Sequence, residues 1–348
     1  MLSNVFTARV LNRSLLSQGS TEKPIYCIRF SCPKGYTFEP GDVVFVHAKN
    51  DPKWVQRALS VLKATGKEQV TGSNGAQWSL EEALSEHYEL RFKASVWEQA
   101  PSELKDDFWG CLAWYQQQSI VTNLGRYLLP MRPRAYSIAS AQKLAPDSLD
   151  LVVTLVTYRT VEGGICEGLS SGFLCKRIQV GDEVPLHIIA SKFRLPKDDS
   201  RPVIMVGPGT GIAPFKAFLE YRKAVGASGP NWLFFGGRHQ ANDFILKDFL
   251  ESLQADGILT RLDLAFSRDQ EHKVYVQHRM MEHAKELWDW FRRGAYFYIC
   301  GDARGMAKDV ESTLLSIIQQ EERLSLAEAQ IYLKDLRRES RYQMDVYG

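Results

Sequence analysis

Residues 203–215 read Val-Ile-Met-Val-Gly-Pro-Gly-Thr-Gly-Ile-Ala-Pro-Phe, and a helical pattern follows from Lys216 to Tyr221. Four apolar residues running into a glycine-rich turn and then a helix leave few folds open. Gly207, Gly209 and Gly211 let the backbone approach an anion with no Cβ in the way. The helix start offers unpaired amides and the positive end of its dipole. Pro214 falls in the first turn, where its missing N–H costs nothing. The same residues also suit a plain tight turn between a buried strand and a helix. Pro214 stands where the third glycine of a G-x-G-x-x-G fingerprint would be, so the segment suggests a nucleotide without naming one.

The surrounding pattern is an alternation. Val203–Val206, Trp232–Gly236, Arg261–Phe266 and Tyr296–Cys300 read as short buried strands. Helical stretches at Phe215–Lys223, Phe244–Gln254, Gln277–Phe291 and Gly305–Glu322 separate them, which implies a parallel sheet with right-handed crossovers. The first 195 residues read differently. Val5–Leu11, Ile25–Ser31, Val43–Ala48, Arg134–Ile138 and Leu149–Tyr158 are strand candidates. Asp51–Ala64 and Leu80–His87 carry apolar residues at helical spacing, with a start signal at Ser79, and Trp109–Gln118 is a further helical stretch. The expected fold is therefore α/β in two domains: an antiparallel β-barrel over 1–196 with a helical insert at about 51–130, then a parallel-sheet α/β domain over 197–348. Phe193–Asp199 is the expected hinge. At 348 residues the chain has room for both cores.

Composition removes several classes of function. A net charge of +2 does not point to nucleic acid or an anionic membrane. The longest apolar runs, such as Leu151–Val156, are too short to span a bilayer. Arg9 and Arg13 precede any acidic residue, but Val5–Leu11 alternates as a strand does, and no signal-peptide core is present. The six cysteines, Cys27, Cys32, Cys111, Cys166, Cys175 and Cys300, form no Cys-x-x-Cys pair. They read as scattered reduced thiols of a cytoplasmic protein, with no metal site.

Five further segments carry chemistry. In Arg134-Ala-Tyr-Ser-Ile-Ala-Ser140, Arg134 and Tyr136 share one strand face and Ser137 takes the other. Such a pair suits a ligand with a pyrophosphate and a flat ring, or a surface strand. Gly168-Leu-Ser-Ser-Gly-Phe-Leu174 is a glycine/hydroxyl turn opening a helix, either an anion site or a capped helix. Phe266-Ser-Arg-Asp269, followed by Lys273-Val-Tyr-Val-Gln277, sets Ser267 and Arg268 at the end of a parallel strand, where open α/β sheets bind ligands. With Lys273 and Tyr275 alternating onto one face, they suit a phosphate monoester, or form a solvated loop. Tyr298-Ile-Cys-Gly-Asp-Ala303 is a buried strand entering a helix. The tail, Arg341-Tyr-Gln-Met-Asp-Val-Tyr-Gly348, ends on an aromatic residue that is ordinarily a packing anchor.

Taken together and in this order, the segments resemble the FAD/NADPH module of the diflavin reductases, within the ferredoxin–NADP reductase superfamily, and most of all its sulfite reductase flavoprotein branch. The likeness is dense from Arg134 to Tyr347. It is looser over 5–95, where Asn50-Asp-Pro52 and His87-Tyr-Glu-Leu90 still match. The resemblance implies FAD and NADPH as cofactors. It assigns Arg134, Tyr136, Ser137, Val152, Val153, Thr154, Tyr158, Gly168, Leu169, Ser170 and Ser171 to FAD, with Tyr347 stacked on the flavin. It assigns Gly207, Gly209, Thr210, Gly211, Asp302 and Asp309 to NADPH, and Ser267, Arg268, Lys273, Tyr275 and Gln277 to its 2′-phosphate and adenine. Ser137, Cys300, Asp345 and Tyr347 would surround the hydride-transfer position.

Three departures shape the expectation. The flavodoxin-like FMN domain of the family has no counterpart before Val5. The insert between Asp51 and Pro133 reads shorter than in that family. Gly348 follows the tail tyrosine. The activity implied is hydride transfer from NADPH to FAD, with electrons passed to a separate acceptor: a sulfite-reductase-type haem component or a flavodoxin-like protein. A stand-alone flavodoxin/ferredoxin–NADP reductase or general diaphorase is the alternative.

Overall fold

Val203–Val206 is buried at every position, as a parallel strand covered on both faces must be. The structure, a computed structural model, describes residues 5–19, 21–72, 75–90, 100–104, 107–118, 125, 128–159 and 164–347. Gly348, the 91–95 end of the looser likeness and the residues after Gln118 on which a longer insert helix would fall lie outside that set. The strands in chain order are β1 (Val5–Leu15), β2 (Ile25–Ser31), β3 (Val43–Val46), β4 (Gln69–Thr71), β5 (Gln77–Ser79), β6 (Tyr88–Glu89), β7 (Leu129–Pro130), β8 (Arg134–Ser137), β9 (Ser148–Thr154), β10 (Thr157–Arg159), β11 (Ile165–Glu167), β12 (Glu183–Ile189), β13 (Val203–Val206), β14 (Asn231–Gly237), β15 (Arg261–Phe266), β16 (Tyr296–Asp302) and β17 (Tyr342–Tyr347).

A six-stranded sheet runs β8-β3-β12-β1-β2-β9, and a bridge between Ile138 and Leu151 nearly closes it into a barrel. Alternation builds it: Phe6, Ala8 and Val10 of β1 are buried while their neighbours Thr7 and Arg9 are exposed. A five-stranded sheet runs β15-β14-β13-β16-β17, and every pairing in it is parallel. The expected fold class, an antiparallel barrel and a parallel α/β sheet, is what the chain forms. Among the described residues no helix is long and apolar enough to cross a membrane.

The chain divides into two compact units: Met1–Val44, Tyr136–Thr154 and Val180–Gly348 make the first, Phe45–Ala135 and Leu155–Gln179 the second. In the second, Asp51 caps the helix Pro52–Leu62 by accepting from the Lys53 amide, and Lys63 ends it at φ 52°. Val55, Ala58, Leu59 and Leu62 of that helix pack with Leu112 and Tyr115 of the helix Phe108–Gln118. The insert is not wholly helical, since it also holds the hairpin β4–β5 and the antiparallel pair β6 and β7.

Several elements depart from their expected bounds. The single strand expected at Leu149–Tyr158 breaks after Thr154, and β10 turns away to pair with β11. Leu80–His87 is three α-helical residues followed by a wider turn at Ala83–His87. The helix expected at Phe244–Gln254 begins only at Lys247, after Leu246 at φ 58°. Gln277–Phe291 is two helices, Val276–Glu282 and Ala284–Arg292, broken at His283. A helix at Leu326–Arg338 was not foreseen, although Ser325 and Glu328 form the reciprocal capping box that announces one. The tail is not a loose anchor but a strand, β17, paired along β16.

Within the first unit a buried cation ties the two sheets together. Lys216, 8% exposed in the first turn of the helix Ala213–Val225, donates to the Ala139 carbonyl at 3.0 Å, Asp150 at 3.2 Å and Glu220 at 2.6 Å. Asp150 on β9 also accepts both arms of Arg29 on β2 at 2.7 and 3.0 Å, and Glu220 accepts from the Ala141 amide at 2.9 Å. Two cations thus balance two carboxylates, with Lys216 and Asp150 buried and Arg29 reaching in from the surface. The connector expected as a hinge is held down as well. Arg194 exchanges two backbone bonds with the Gln343 side chain at 2.8 and 3.0 Å and pairs with Asp42, and Phe193 stacks on Phe218.

Burial raises the Asp150 carboxyl, but the bonds from Arg29 and Lys216 outweigh it and hold the group below its ordinary range. Its stabilising share is therefore present above the unfolded pKa and lost as pH falls through the folded one. Removing Lys216 leaves the buried Asp150 with Arg29 as its one cation. Lys216→Met is expected to cost roughly 3–5 kcal/mol. In denaturant melts the deficit should narrow as pH falls from about 7.5 to about 5, because loss of Lys216 lets burial raise the Asp150 carboxyl. A deficit equal at both would locate the loss elsewhere.

Candidate functional site

The loop after β13 is shaped by what cannot fit beside it. The Gly207 amide donates to the Phe234 carbonyl at 3.1 Å and the Gly211 amide to the Pro208 carbonyl at 3.0 Å. A Cβ on Gly207 would stand 2.5 Å from the Gly211 oxygen and 2.6 Å from the Phe215 ring. A Cβ on Gly211 would run into the Cys300 carbonyl, so only glycine lets the loop lie against β16. Gly209 differs. It sits at φ +56° with open space where its Cβ would be, which leaves a cradle beside the Thr210 hydroxyl. That cradle fits a phosphate group.

The carboxyl ends of β16 and β17 stand next to this loop. Their register sets Cys300 opposite Asp345 and Asp302 opposite Tyr347. The Ser137 hydroxyl donates to Asp345 Oδ2 at 2.7 Å, and the Thr210 and Tyr347 hydroxyls are 3.0 Å apart. The Ala303 amide donates to the Tyr347 carbonyl at 2.9 Å, which fixes the last rung. Burial pushes the Cys300 thiol well up, and the Asp345 charge adds to it, so the thiol stays neutral. Tyr347 is 51% exposed as a residue. Desolvation of its phenol nevertheless pushes the group up to about 12, so it too stays neutral. Val152 of β9 shares an apolar cluster with Ile212, Ala213 and Cys300. Val153 and Thr154 continue β9 opposite Tyr26 and Ile25. The structure therefore brings Ser137, Thr210, Gly211, Cys300, Asp345 and Tyr347 together.

A second cluster lies at the end of β14 and β15. The Ser267 amide and hydroxyl both donate to the Gly237 carbonyl, at 3.0 and 3.3 Å, and the Arg268 amide donates to the Arg238 carbonyl at 2.8 Å. Residues 267–268 thus run beside 237–238 and set two arginines side by side. Sequence reasoning named Arg268 and missed Arg238, which carries no local signal beyond following Gly237. Lys273 and Tyr275 are both exposed while Val274 and Val276 are buried, so they share an outward face as expected, on an extended lead into a helix rather than on a strand. Gln277 is already in the helix Val276–Glu282, and its amide donates to Asp309 at 3.2 Å. Asp302 caps the helix Met306–Glu322 by accepting from the Gly305 amide at 2.7 Å, and that bond holds its carboxyl below the usual range.

The remaining expected residues belong to the second unit, save Tyr136, on β8 in the first. Arg134 donates to Glu89 and to the Arg132 carbonyl, both at 2.7 Å. The turn at Gly168 is closed by its amide on the Val156 carbonyl at 2.7 Å, and the Ser171 hydroxyl accepts from the Val156 amide at 3.2 Å. A Cβ on Gly168 would stand 2.6 Å from that hydroxyl. Leu169, Ser170 and Ser171 are buried in the short helix that follows, and Tyr158 on β10 is exposed. The Arg177 guanidinium donates to the Leu169 carbonyl at 2.9 Å, a support for this turn that sequence reasoning did not find. A glycine turn, hydroxyls, two half-buried arginines and an exposed aromatic ring are groups that suit a dinucleotide.

Known proteins share this plan. A model of the oxidoreductase NAD-binding domain matches residues 205–312. The sulfite reductase [NADPH] flavoprotein alpha-component of Bacillus subtilis (strain 168) is 38% identical over 372 residues, covering 99% of this chain and 61% of the relative. Those of Photorhabdus laumondii and Klebsiella pneumoniae are each 40% identical over 335 residues, covering 90% of this chain and 56% of the relative. The chain thus spans about three-fifths of the length of these curated relatives. In its fold, in the order of its site segments and in these likenesses, the chain resembles an NADPH-dependent flavoprotein reductase module of the ferredoxin–NADP reductase kind.

Proposed function

We propose that this chain takes a hydride from NADPH onto FAD and passes the electrons to a separate redox protein. The observation that carries the reading is the cluster at the ends of β16 and β17, where Ser137 bonds Asp345 at 2.7 Å, Asp345 lies opposite Cys300, and Thr210 meets Tyr347 at 3.0 Å. FAD, when bound, supplies the two-electron uptake and the one-electron release. In the first unit Tyr136, Ser137, Val152, Val153 and Thr154, and in the second Arg134, Tyr158 and Gly168–Ser171, are the residues for FAD; Gly207, Gly209, Thr210, Gly211, Ser267, Arg268, Lys273, Tyr275, Gln277, Asp302 and Asp309 are those for NADPH.

Each side chain has a separate task. Asp345 orients the Ser137 hydroxyl and keeps one negative charge at this edge. Cys300, neutral and buried, fills the space beside it. Tyr347 covers the ring-binding face and must turn aside for a nicotinamide, and its bond to Thr210 holds it there meanwhile. Ser267, Arg268, Lys273 and Tyr275 grip the 2′-phosphate end. The relatives are named as one component of a sulfite reductase, which favours a haem component as the acceptor over a flavodoxin-like protein. NADPH-driven reduction of each purified candidate decides between them. Reduction of none but a small dye would leave a general diaphorase.

Two substitutions test the site. Arg268→Ala removes a charge-assisted contact of roughly 1.5–3 kcal/mol. NADPH binding should weaken about ten- to a hundredfold with NADH little changed, and equal losses for both would refute the 2′-phosphate role. Tyr347→Ala should shift the NADPH/NADH ratio of kcat/KM towards NADH and alter the flavin absorption spectrum. An unchanged ratio and spectrum would remove the tyrosine from the ring-binding face.

A further inference from the structure

The arginine pair beside Ser267 already has an anion on it. Glu22, on the connection between β1 and β2, forms an ion pair with Arg238 and lies 3.8 Å from Arg268. The contact is delivered from far along the chain. The Gln18 amide donates to the Asn242 carbonyl at 2.8 Å, and the Thr21 hydroxyl donates to Asp243 Oδ1 at 3.2 Å. Asp243 Oδ2 in turn accepts the Arg238 and His239 amides at 3.1 and 3.0 Å. The connection is thus docked on the turn that carries Arg238, with Glu22 over the guanidinium groups.

The pair is built to be exchanged. The Glu22 side chain is 71% exposed, and those of Arg238 and Arg268 are 29% and 48% exposed. An ion pair so wet adds little to stability, so its loss leaves the fold intact. A phosphate monoester carries up to about two negative charges and three acceptor oxygens, against one charge and two oxygens on a carboxylate. It can therefore displace Glu22 from both arginines, whereas a nucleotide lacking that phosphate cannot.

We propose that Glu22 is an internal competitor for the nucleotide's 2′-phosphate, and that it sets how tightly the arginine pair holds that group. The proposal rests on the reading of Arg268 as a 2′-phosphate contact. By occupying the arginines in the free protein, Glu22 lowers the net gain on binding and shortens the residence of a 2′-phosphorylated product. It leaves the rest of the nucleotide untouched.

Calorimetric titration of the purified protein with 2′,5′-ADP and with 5′-AMP separates the possibilities without turnover. Glu22→Gln should bind 2′,5′-ADP about two- to fivefold tighter at low ionic strength, the size of an exposed ion pair. The gain should shrink as salt rises, and 5′-AMP should bind as before. Glu22→Asp keeps the charge but cannot reach, and should retain most of the gain. A gain in Glu22→Gln alone would show a field effect and overturn competition. Unchanged or weaker binding in both variants would overturn it too, weaker binding meaning that Glu22 organises the arginines instead. A wild-type protein that binds 2′,5′-ADP no better than 5′-AMP would remove the 2′-phosphate site itself, a different failure.

Discussion

A lysine placed where a helix least wants a cation holds the first unit together. Lys216 sits in the first turn of the helix after the glycine loop, at the positive end of its dipole. It is tolerable there only because Asp150 and Glu220 and the Ala139 carbonyl surround it. Asp150 lies two residues before Val152, and Ala139 two after Ser137. The same cation therefore fixes the helix that ends the nucleotide loop and the two strand ends that face it.

The parallel sheet supplies the other constraint. All its strands point one way, so every carboxyl end delivers a loop to the same edge. Two of those loops come without bulk: Gly207–Gly211 after β13 and Gly237 at the end of β14. The packing glycines and the cradle glycine are different residues, which a reading of the motif alone cannot separate. Gly211 is required by the Cys300 carbonyl, whereas Gly209 faces open space.

Most of the fold was legible because its signals are local. Four buried apolar residues before glycines, alternation in β1, and 3.6-residue spacing in the helix Pro52–Leu62 each arise from neighbours along the chain. The capping box at Ser325 was equally local and was passed over. The site residues were legible by resemblance more than by pattern, although the alternation of Lys273 and Tyr275 with the buried Val274 and Val276 was local too. What stayed hidden depends on distance along the chain. Glu22 meets Arg238 from 216 positions away, and Lys216 meets Asp150 across 66. No window of sequence contains either pair.

The last strand has a mechanical meaning of its own. β17 is the edge of its sheet, paired with β16 on one side only, and its final rung is Tyr347 opposite Asp302. Edge strands open locally at a lower free energy than the core they cover. The wall of the site that carries Asp345 and Tyr347 therefore has the stability of a sheet margin. On warming, this margin is expected to open before the core around Val203–Val206 melts.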